Sequence, residues 1–269
     1  MSLFALLTRQ NLRRRRPSPQ AYGFRPRLEV LEGRALPSTL TVTNASDTGV
    51  SGDGSLRGEI AAAAPSGDRI VFAHNLEGQT ITLTHGELAI NKSLVIHGPG
   101  ADDGDDEGPA PNAVTISANN NFRVFGITSS SATVTLFGLT ITNGQAYVYG
   151  GHAGDGGGGI RNSGTLTVSH CTLSGNSATA GGGAIFNDGT LTVSHSTLSG
   201  NSVNYLGFGL PLGGGGIFNN NYGTLTVSHS TLSGNSATAA EFGGGGILNS
   251  YYGTLTVSSS TLSGNSASS

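Results

Sequence analysis

The sequence predicts an all-β solenoid, a single-stranded parallel β-helix with three short strands in each coil. The stretch GTLTVSHSTLSGNS occurs at 189–202 and again, letter for letter, at 223–236. Near copies lie at 164–177 and 253–266. Repeats of this length indicate stacked units that cannot bury their apolar faces alone. The glycine runs and the period-2 alternation of Thr and Val exclude helical repeats.

The composition limits the classes of function. Charged residues make up 11% of the chain, against about 25% in ordinary globular domains, so the surface must consist largely of Ser, Thr, Asn and Gly. Eight of the thirteen basic residues precede residue 35, which leaves five basic and fourteen acidic residues in 35–269. We therefore predict no nucleic-acid partner, which would need a basic surface. No apolar run is long enough to predict a transmembrane segment.

The chain divides into three parts. Residues 1–38, with the basic run Arg13–Arg16, predict a disordered targeting or sorting lead. Residues 39–125 predict an N-terminal cap followed by irregular coils of the β-helix. Residues 126–269 predict the regular repeat array.

The middle part contains one predicted helix. GDGSLRGEIAAAAPSGD (52–68) reads as a turn, a short helix and a stop. Ser55 is a suitable N-cap, and Pro65 with Gly67 ends the helix. The strands expected outside the array lie at 39–44, 69–73, 80–84, 87–98, 114–117, 122–127 and 132–144.

Equivalent residues of successive coils should stack, because parallel strands lie about 4.8 Å apart. This predicts four inward columns of apolar side chains. They are Leu166, Leu191, Leu225 and Leu255; Val168, Val193, Val227 and Val257; Leu173, Leu198, Leu232 and Leu262; and Ile160, Ile185, Ile217 and Ile247.

Asparagine recurs at two corners of the repeat. The members are Asn162, Asn187, Asn219 and Asn249 at one corner, and Asn176, Asn201, Asn235 and Asn265 at the other. Stacked amides can hydrogen-bond along the axis and to the backbone of the turn, which satisfies polar groups that are costly to bury unpaired. We interpret these eight residues as structural ladders rather than as ligands.

Three groups of motifs resemble known bacterial sequences. GGAIFN (182–187) and LSGNSA (173–178) resemble the GGAI and FxxN motifs of polymorphic outer-membrane-protein repeats, with Leu in place of Phe. GSLRGEI, followed by GDRIVF and GQTITLT, resembles the N-terminal region of bacterial right-handed β-helix proteins known for a CSLREA motif, although Gly54 replaces the Cys and Gly58 interrupts the motif. RPRLEVLEGRALPST (25–39) resembles the N-terminal sorting motif of large extracytoplasmic proteins in planctomycete-type bacteria.

These resemblances imply right-handed coiling, an extracellular or cell-surface location, and an adhesive or unassigned role. None of the matching motifs carries a catalytic residue. Polysaccharide lyases and hydrolases share the pectate-lyase-like fold, but they need clustered charged side chains on one coil face. In 156–269 the charged residues are Arg161, Asp188 and Glu241, with no charged partner at a repeat-related position. We therefore predict no catalytic residue.

Histidine also forms a column, made of His170, His195 and His229. Stacked imidazoles about 5 Å apart can bind a transition metal. However, Ser259 takes this position in the fourth copy, and no carboxylate recurs nearby, so we predict no metal site here. Cys171 is the one cysteine, and serine takes its place in the other copies. We interpret it as a small packed side chain rather than a nucleophile.

An acidic loop at 101–113 leaves one alternative open. It contains Asp102, Asp103, Asp105, Asp106 and Glu107. Carboxylates of this kind can hold calcium, but the spacing fits no defined calcium loop, and Pro109 and Pro111 favour a solvated insertion. We predict no resident cofactor, with calcium as the alternative.

The coils vary in length after the SGN corner, at 144–159, 202–216 and 236–246. Stacking should bring these insertions to one edge, together with their aromatic residues. The candidate ligand-binding residues are Tyr147, Tyr149, Tyr205, Phe208 and Phe242, and a second corner holds Tyr222, Tyr251 and Tyr252. Aromatic side chains on loops over a rigid scaffold suit sugar-ring stacking or a protein partner. The alternative is that they only cover glycine-rich turns.

Three functions fit these observations. The first is an exported, non-enzymatic β-helix protein that acts in adhesion or in contact with the cell envelope or matrix, through the aromatic loop edge and a long Ser/Thr/Asn face. Its expected partner is a polysaccharide or a protein of the envelope or matrix. The second is a polysaccharide-binding or polysaccharide-degrading member of the fold, which three or more charged side chains in one groove would favour. The third is a truncated remnant whose open C-terminal coil self-associates through its strand edges.

Overall fold

The computed structural model describes residues 36–99, 108–147, 156–204, 213–220, 222–238, 243–250 and 252–268. Their strands stack in four parallel sheets, which confirms the predicted parallel β-helix. Residues 1–35 of the predicted lead and residues 102–107 of the acidic loop lie outside the described residues.

The first sheet contains the strand that reads Thr-Leu-Thr-Val-Ser in each copy of the array. Its strands, numbered in chain order through the whole molecule, are β1 (Thr39–Val42), β2 (Ser66–Phe72), β5 (Ser93–His97), β8 (Thr133–Phe137), β12 (Thr165–Ser169), β16 (Thr190–Ser194), β20 (Thr224–Ser228) and β24 (Thr254–Ser258), and they pair in that order. Leu and Val alternate inward with Thr and Ser outward, as the period of a strand requires.

The second and third sheets complete the predicted three strands per coil. The second contains β3 (Thr80–Thr82), β6 (Val114–Ser117), β9 (Leu139–Thr142), β13 (Thr172–Ser174), β17 (Thr197–Ser199), β21 (Thr231–Ser233) and β25 (Thr261–Ser263). The third contains β4 (Leu88–Ile90), β7 (Phe125–Ile127), β11 (Ile160–Asn162), β15 (Ile185–Asn187), β19 (Ile217–Asn219) and β23 (Ile247–Asn249).

A fourth sheet follows the SGN corner and was not predicted. Its strands are β10 (Gln145–Ala146), β14 (Ser177–Ala178), β18 (Ser202–Asn204), β22 (Ser236–Thr238) and β26 (Ser266–Ser268). They are two or three residues long, so each offers one inward side chain, such as Ala178 or Val203. Such short strands carry too little alternation to be recognised in the sequence.

The four predicted apolar columns are present. Leu191 pairs with Leu166 on one side and with Leu225 on the other, and the remaining columns follow the same register. Their members are buried except in the coil of β24 and β25. There Leu255, Val257 and Leu262 are 37%, 41% and 47% exposed. Self-association through this coil remains a prediction.

The glycine runs lie where two coils approach backbone to backbone. A Cβ atom on Gly158 would lie 2.1 Å from the carbonyl oxygen of Ser177, so no larger residue fits there. Beneath the runs, Phe186 and Phe218 on the outer side of the third sheet are fully buried, with ring centroids 5.2 Å apart. They form an apolar cluster separate from the main core.

The N-terminal cap contains the predicted helix, α1 (Leu56–Ala62), and a 3-10 turn at His74–Leu76. Ser55 caps α1 by accepting a hydrogen bond from the backbone N–H of Gly58 over 3.0 Å. A Cβ atom on Gly58 would lie 2.3 Å from the carbonyl oxygen of Val50, which explains glycine at this point of the motif. Among the described residues no helix has the length and apolar character needed to span a membrane.

Candidate functional site

Both predicted asparagine columns form hydrogen-bonded ladders. In the column that begins at Asn162, each Nδ2 donates to Oδ1 of the next coil's asparagine over 2.7 Å. Asn187 Nδ2 also donates to the carbonyl oxygen of Gly189 over 3.0 Å. The column that begins at Asn176 is joined over 2.9–3.0 Å. Because protein groups occupy these amides, the ladders are structural.

The predicted aromatic edge is described in part. Tyr149, Tyr205, Phe208 and Phe242 lie outside the described residues. Tyr147, directly after β10, is 48% exposed. It borders a surface groove of about 310 Å³, which we call the tyrosine groove. The other lining residues are Glu87, Asn121, Phe122, Arg123, Gln145 and Ala146.

An ion pair forms one wall of the tyrosine groove. Arg123 Nη1 lies 2.7 Å from Glu87 Oε2. The same guanidinium donates through Nε to the carbonyl oxygen of Gly157 over 2.9 Å, and through Nη2 to that of Gly156 over 3.0 Å. Arg123 is thus fixed to the glycine run of the next coil, and it holds the Glu87 carboxylate at the mouth of the groove.

Glu87 also lines a second groove, of about 320 Å³, beside α1. The other lining residues are Arg57, Ile60, Ala61, Leu88, Ala89, Asn91 and Lys92. Lys92 Nζ donates to the carbonyl oxygens of Ala63 and Ala61, over 2.6 and 3.3 Å, at the C-terminal end of α1. Three charged side chains, Arg57, Glu87 and Lys92, therefore line one groove, which no sequence pattern indicates. They come from irregular coils, where no repeat indicates which residues are neighbours.

Arg57 is anchored beneath this groove by a buried carboxylate. Its Nε donates to Asp47 Oδ1 over 2.6 Å, and Nη1 donates to the carbonyl oxygen of Glu87 over 2.9 Å. Asp47 Oδ2 accepts the backbone N–H groups of Thr84 and His85 over 2.6 and 3.0 Å. Burial acts to raise the pKa of Asp47, but these hydrogen bonds and the Arg57 charge outweigh it and lower the pKa below its usual value. This network fixes the turn that presents Glu87.

The histidine column is stacked as predicted. The ring centroids of His170 and His195 lie 4.9 Å apart, as do those of His195 and His229. The stack continues through Phe137 to His97, beyond the predicted column. No group of three or more potential metal-binding side chains occurs within the part of the chain that the structure describes.

A charged contact between neighbouring coils occurs inside the regular array. Arg161 Nη2 lies 4.0 Å from Asp188 Oδ2, although the two residues occupy non-equivalent positions of neighbouring coils. Asn220 Nδ2 donates to Asp188 Oδ1 over 3.0 Å. Burial raises the pKa of Asp188, and the Asn220 hydrogen bond and the Arg161 charge only partly oppose this.

Cys171 is fully buried, as predicted for a packed side chain. Burial raises the pKa of its thiol to about 12, so it is not a nucleophile at neutral pH. Its backbone N–H donates to Ser196 Oγ over 3.1 Å, and Ser196 repeats this contact to Ser230 over 3.2 Å.

No family model, curated protein or solved structure matches this chain. The candidate site is therefore defined by geometry alone. The tyrosine groove combines an exposed phenol ring, a carboxylate, a guanidinium and two side-chain amides. These groups can stack against an apolar ring face and hydrogen-bond to hydroxyl groups around its rim.

Proposed function

We propose that this chain is an exported, non-enzymatic β-helix protein that binds extracellular polysaccharide through the tyrosine groove. Exposed Tyr147 beside the Glu87–Arg123 pair is the observation that carries the proposal. A sugar ring presents C–H groups on one face and hydroxyls at its edge. The phenol ring of Tyr147 can stack against the C–H face of the sugar. The carboxylate and guanidinium of the ion pair and the amides of Asn121 and Gln145 can hydrogen-bond to its hydroxyl groups.

Binding is better supported than cleavage. Glu87 is the one carboxylate among the lining residues of the two grooves that the structure describes. Glycoside hydrolysis ordinarily needs two carboxyl groups, one as acid and one as base or nucleophile. The neighbouring Arg57, Lys92 and Arg123 donate to backbone carbonyl oxygens, which supports a positioning role for their charges.

The sequence resemblances support the location that this function requires. The polymorphic outer-membrane-protein-like repeats, the CSLREA-type region and the sorting motif at 25–39 are all typical of exported bacterial proteins. We place the protein outside the cell or at its surface on that basis, where it makes an adhesive contact with the envelope or matrix.

The test is binding of the full chain to a panel of acidic and neutral polysaccharides. Tyr147→Ala should weaken binding at least tenfold, because it removes the stacking surface. Tyr252→Ala is the matched control, since Tyr252 is also exposed but lies at another corner; it should change affinity less than twofold. Absence of binding to every polysaccharide, or equal loss in both variants, would contradict the proposal.

A polysaccharide-degrading activity is the second candidate, because Arg57, Glu87 and Lys92 line one groove. Measuring new polysaccharide chain ends in the same incubations distinguishes cleavage from binding. New ends that form with the wild type and disappear with Glu87→Gln would establish cleavage and replace the binding proposal. Binding without new ends would exclude this candidate for the polysaccharides tested.

A further inference from the structure

The outer face of the first sheet carries a regular array of threonine. Five successive strands, β8, β12, β16, β20 and β24, each contain Thr-x-Thr with both threonines outward. The strands pair without a register shift, so the threonines form two straight columns. The columns are Thr133, Thr165, Thr190, Thr224 and Thr254; and Thr135, Thr167, Thr192, Thr226 and Thr256.

These hydroxyl groups remain available to solvent. The first column is exposed, and the second is half-buried up to Thr226 and exposed at Thr256. Within the described residues, none of the ten hydroxyls enters a side-chain hydrogen bond to another protein group. Threonine is β-branched, so its χ1 angle is restricted and the hydroxyl positions are largely fixed before any ligand arrives.

The corner beside the array repeats its local geometry from coil to coil. Here the stacked rings of His195 and His229, which lie in neighbouring coils beside this sheet, are inclined by 2°, and those of His170 and His195 by 10°. Both ring pairs are 4.9 Å apart. The coils of His170, His195 and His229 therefore place equivalent side chains in the same orientation at this corner.

The threonines consequently form a regular array with two repeats. One repeat is the strand spacing of about 4.8 Å, and the other is two residues along a strand, roughly 6.6 Å. The outward positions of the five strands carry no charged residue. A rigid surface of this kind suits an ordered solid with similar repeats rather than one small molecule.

The side-chain chemistry selects among ordered solids. A calcium mineral would require carboxylates on the array, and a crystalline polysaccharide would favour exposed aromatic rings. The array contains only hydroxyl and methyl groups: the hydroxyls can hold water molecules at lattice positions, and the methyl groups order the water between them. We propose that the outer face of the first sheet binds ice.

The full chain should therefore inhibit ice recrystallisation and show thermal hysteresis. Thr192→Tyr, in the centre of the array, should raise the concentration needed for inhibition at least tenfold, because the phenol projects beyond the threonine side chains. Thr226→Tyr in the next coil should have the same effect and guards against a folding defect in either variant. A melting curve of each variant verifies the fold.

Thr197→Tyr is the matched control. Thr197 lies in the same coil, on the outer side of the second sheet, with similar partial burial. It should leave inhibition within twofold of wild type. No inhibition by the wild type, equal loss in the control, or full activity in both array variants would overturn the proposal. The proposal would also be overturned if the wild type bound microcrystalline cellulose or chitin but did not inhibit ice growth. Because Tyr147 directly follows β10 of the fourth sheet and lies away from the array, polysaccharide binding should be unchanged in the array variants.

Discussion

Asn201 Oδ1 accepts two hydrogen bonds from Asn176, one from its backbone nitrogen and one from Nδ2, each over 3.0 Å. Asn201 Nδ2 in turn donates to the carbonyl oxygen of Leu173 over 2.9 Å. One buried side chain therefore satisfies three polar groups of the preceding coil. Asn235 makes the same set of contacts to the coil of Asn201.

Asn201→Ala should accordingly destabilise the protein by roughly 2–4 kcal/mol, since it leaves a buried N–H and a buried C=O without partners. Asn265→Ala removes equivalent bonds, to Asn235 and Leu232. Asn265 is only half-buried, so water can replace those bonds, and the cost should be about 1 kcal/mol. Urea denaturation of both variants measures the difference. Equal shifts of the midpoint would show that the ladder does not depend on burial.

The lowered pKa of Asp47 predicts a specific loss of stability in acid. Because the folded pKa is below the unfolded value, the ionised carboxylate stabilises the fold above that unfolded value. This contribution disappears as the pH falls through the folded pKa. Asp47→Asn should cost about 2 kcal/mol at pH 7, and the difference from wild type should shrink below about pH 4. Thermal melting between pH 2 and pH 7 measures it, and a difference independent of pH would contradict the assignment.

The contribution of Asp188 to stability should depend on pH in the opposite direction to that of Asp47. Its pKa is raised in the folded state, so its favourable contribution is fully present below the unfolded pKa and is lost as the pH rises through the folded one. Asn220 Oδ1 is buried with no hydrogen-bond partner, and an amide at position 188 can donate to it. Asp188→Asn should therefore be at least as stable as wild type at pH 7. A lower melting temperature of the variant at pH 7 would show that the Arg161 contact outweighs burial.

The buried thiol of Cys171 provides a measure of coil opening. A disulfide reagent requires the thiolate and access to it, and the folded chain provides neither. The folded protein should remain unmodified, and modification in increasing urea should follow the unfolding of the central coils. Rapid modification in the absence of urea would show that these coils open locally. Cys171→Ser controls for reaction at other groups.

The regular array could be predicted almost completely, because each coil repeats the residues of its neighbours. Identical positions stack, so the sequence indicates which side chains meet, as with Leu191 and Leu225. The ladders follow from the same logic. The tyrosine groove could not be predicted in this way. Glu87 and Arg123 are 36 positions apart in coils of different sequence, and only the fold brings them together.

Two departures from the CSLREA-type motif also have a physical reason that the sequence alone does not reveal. Gly54 has a φ of +81°, in the left-handed region that favours glycine, and a Cβ atom at Gly58 would lie 2.3 Å from the carbonyl oxygen of Val50. Both positions require glycine in this packing. The buried Phe186 and Phe218 were missed for a related reason, since the glycine run that covers them gives no sign of a separate apolar cluster.

The register of identical residues has a consequence at the level of the gene. Asn201 and Asn235 make the same contacts, so an in-frame deletion of residues 202–235 would join two segments that already match. Asn201 would then stack on Asn265, and every column of stacked residues would be shorter by one coil. Deletion or duplication of whole coils therefore changes the length of the protein without creating a mismatch between the coils that remain.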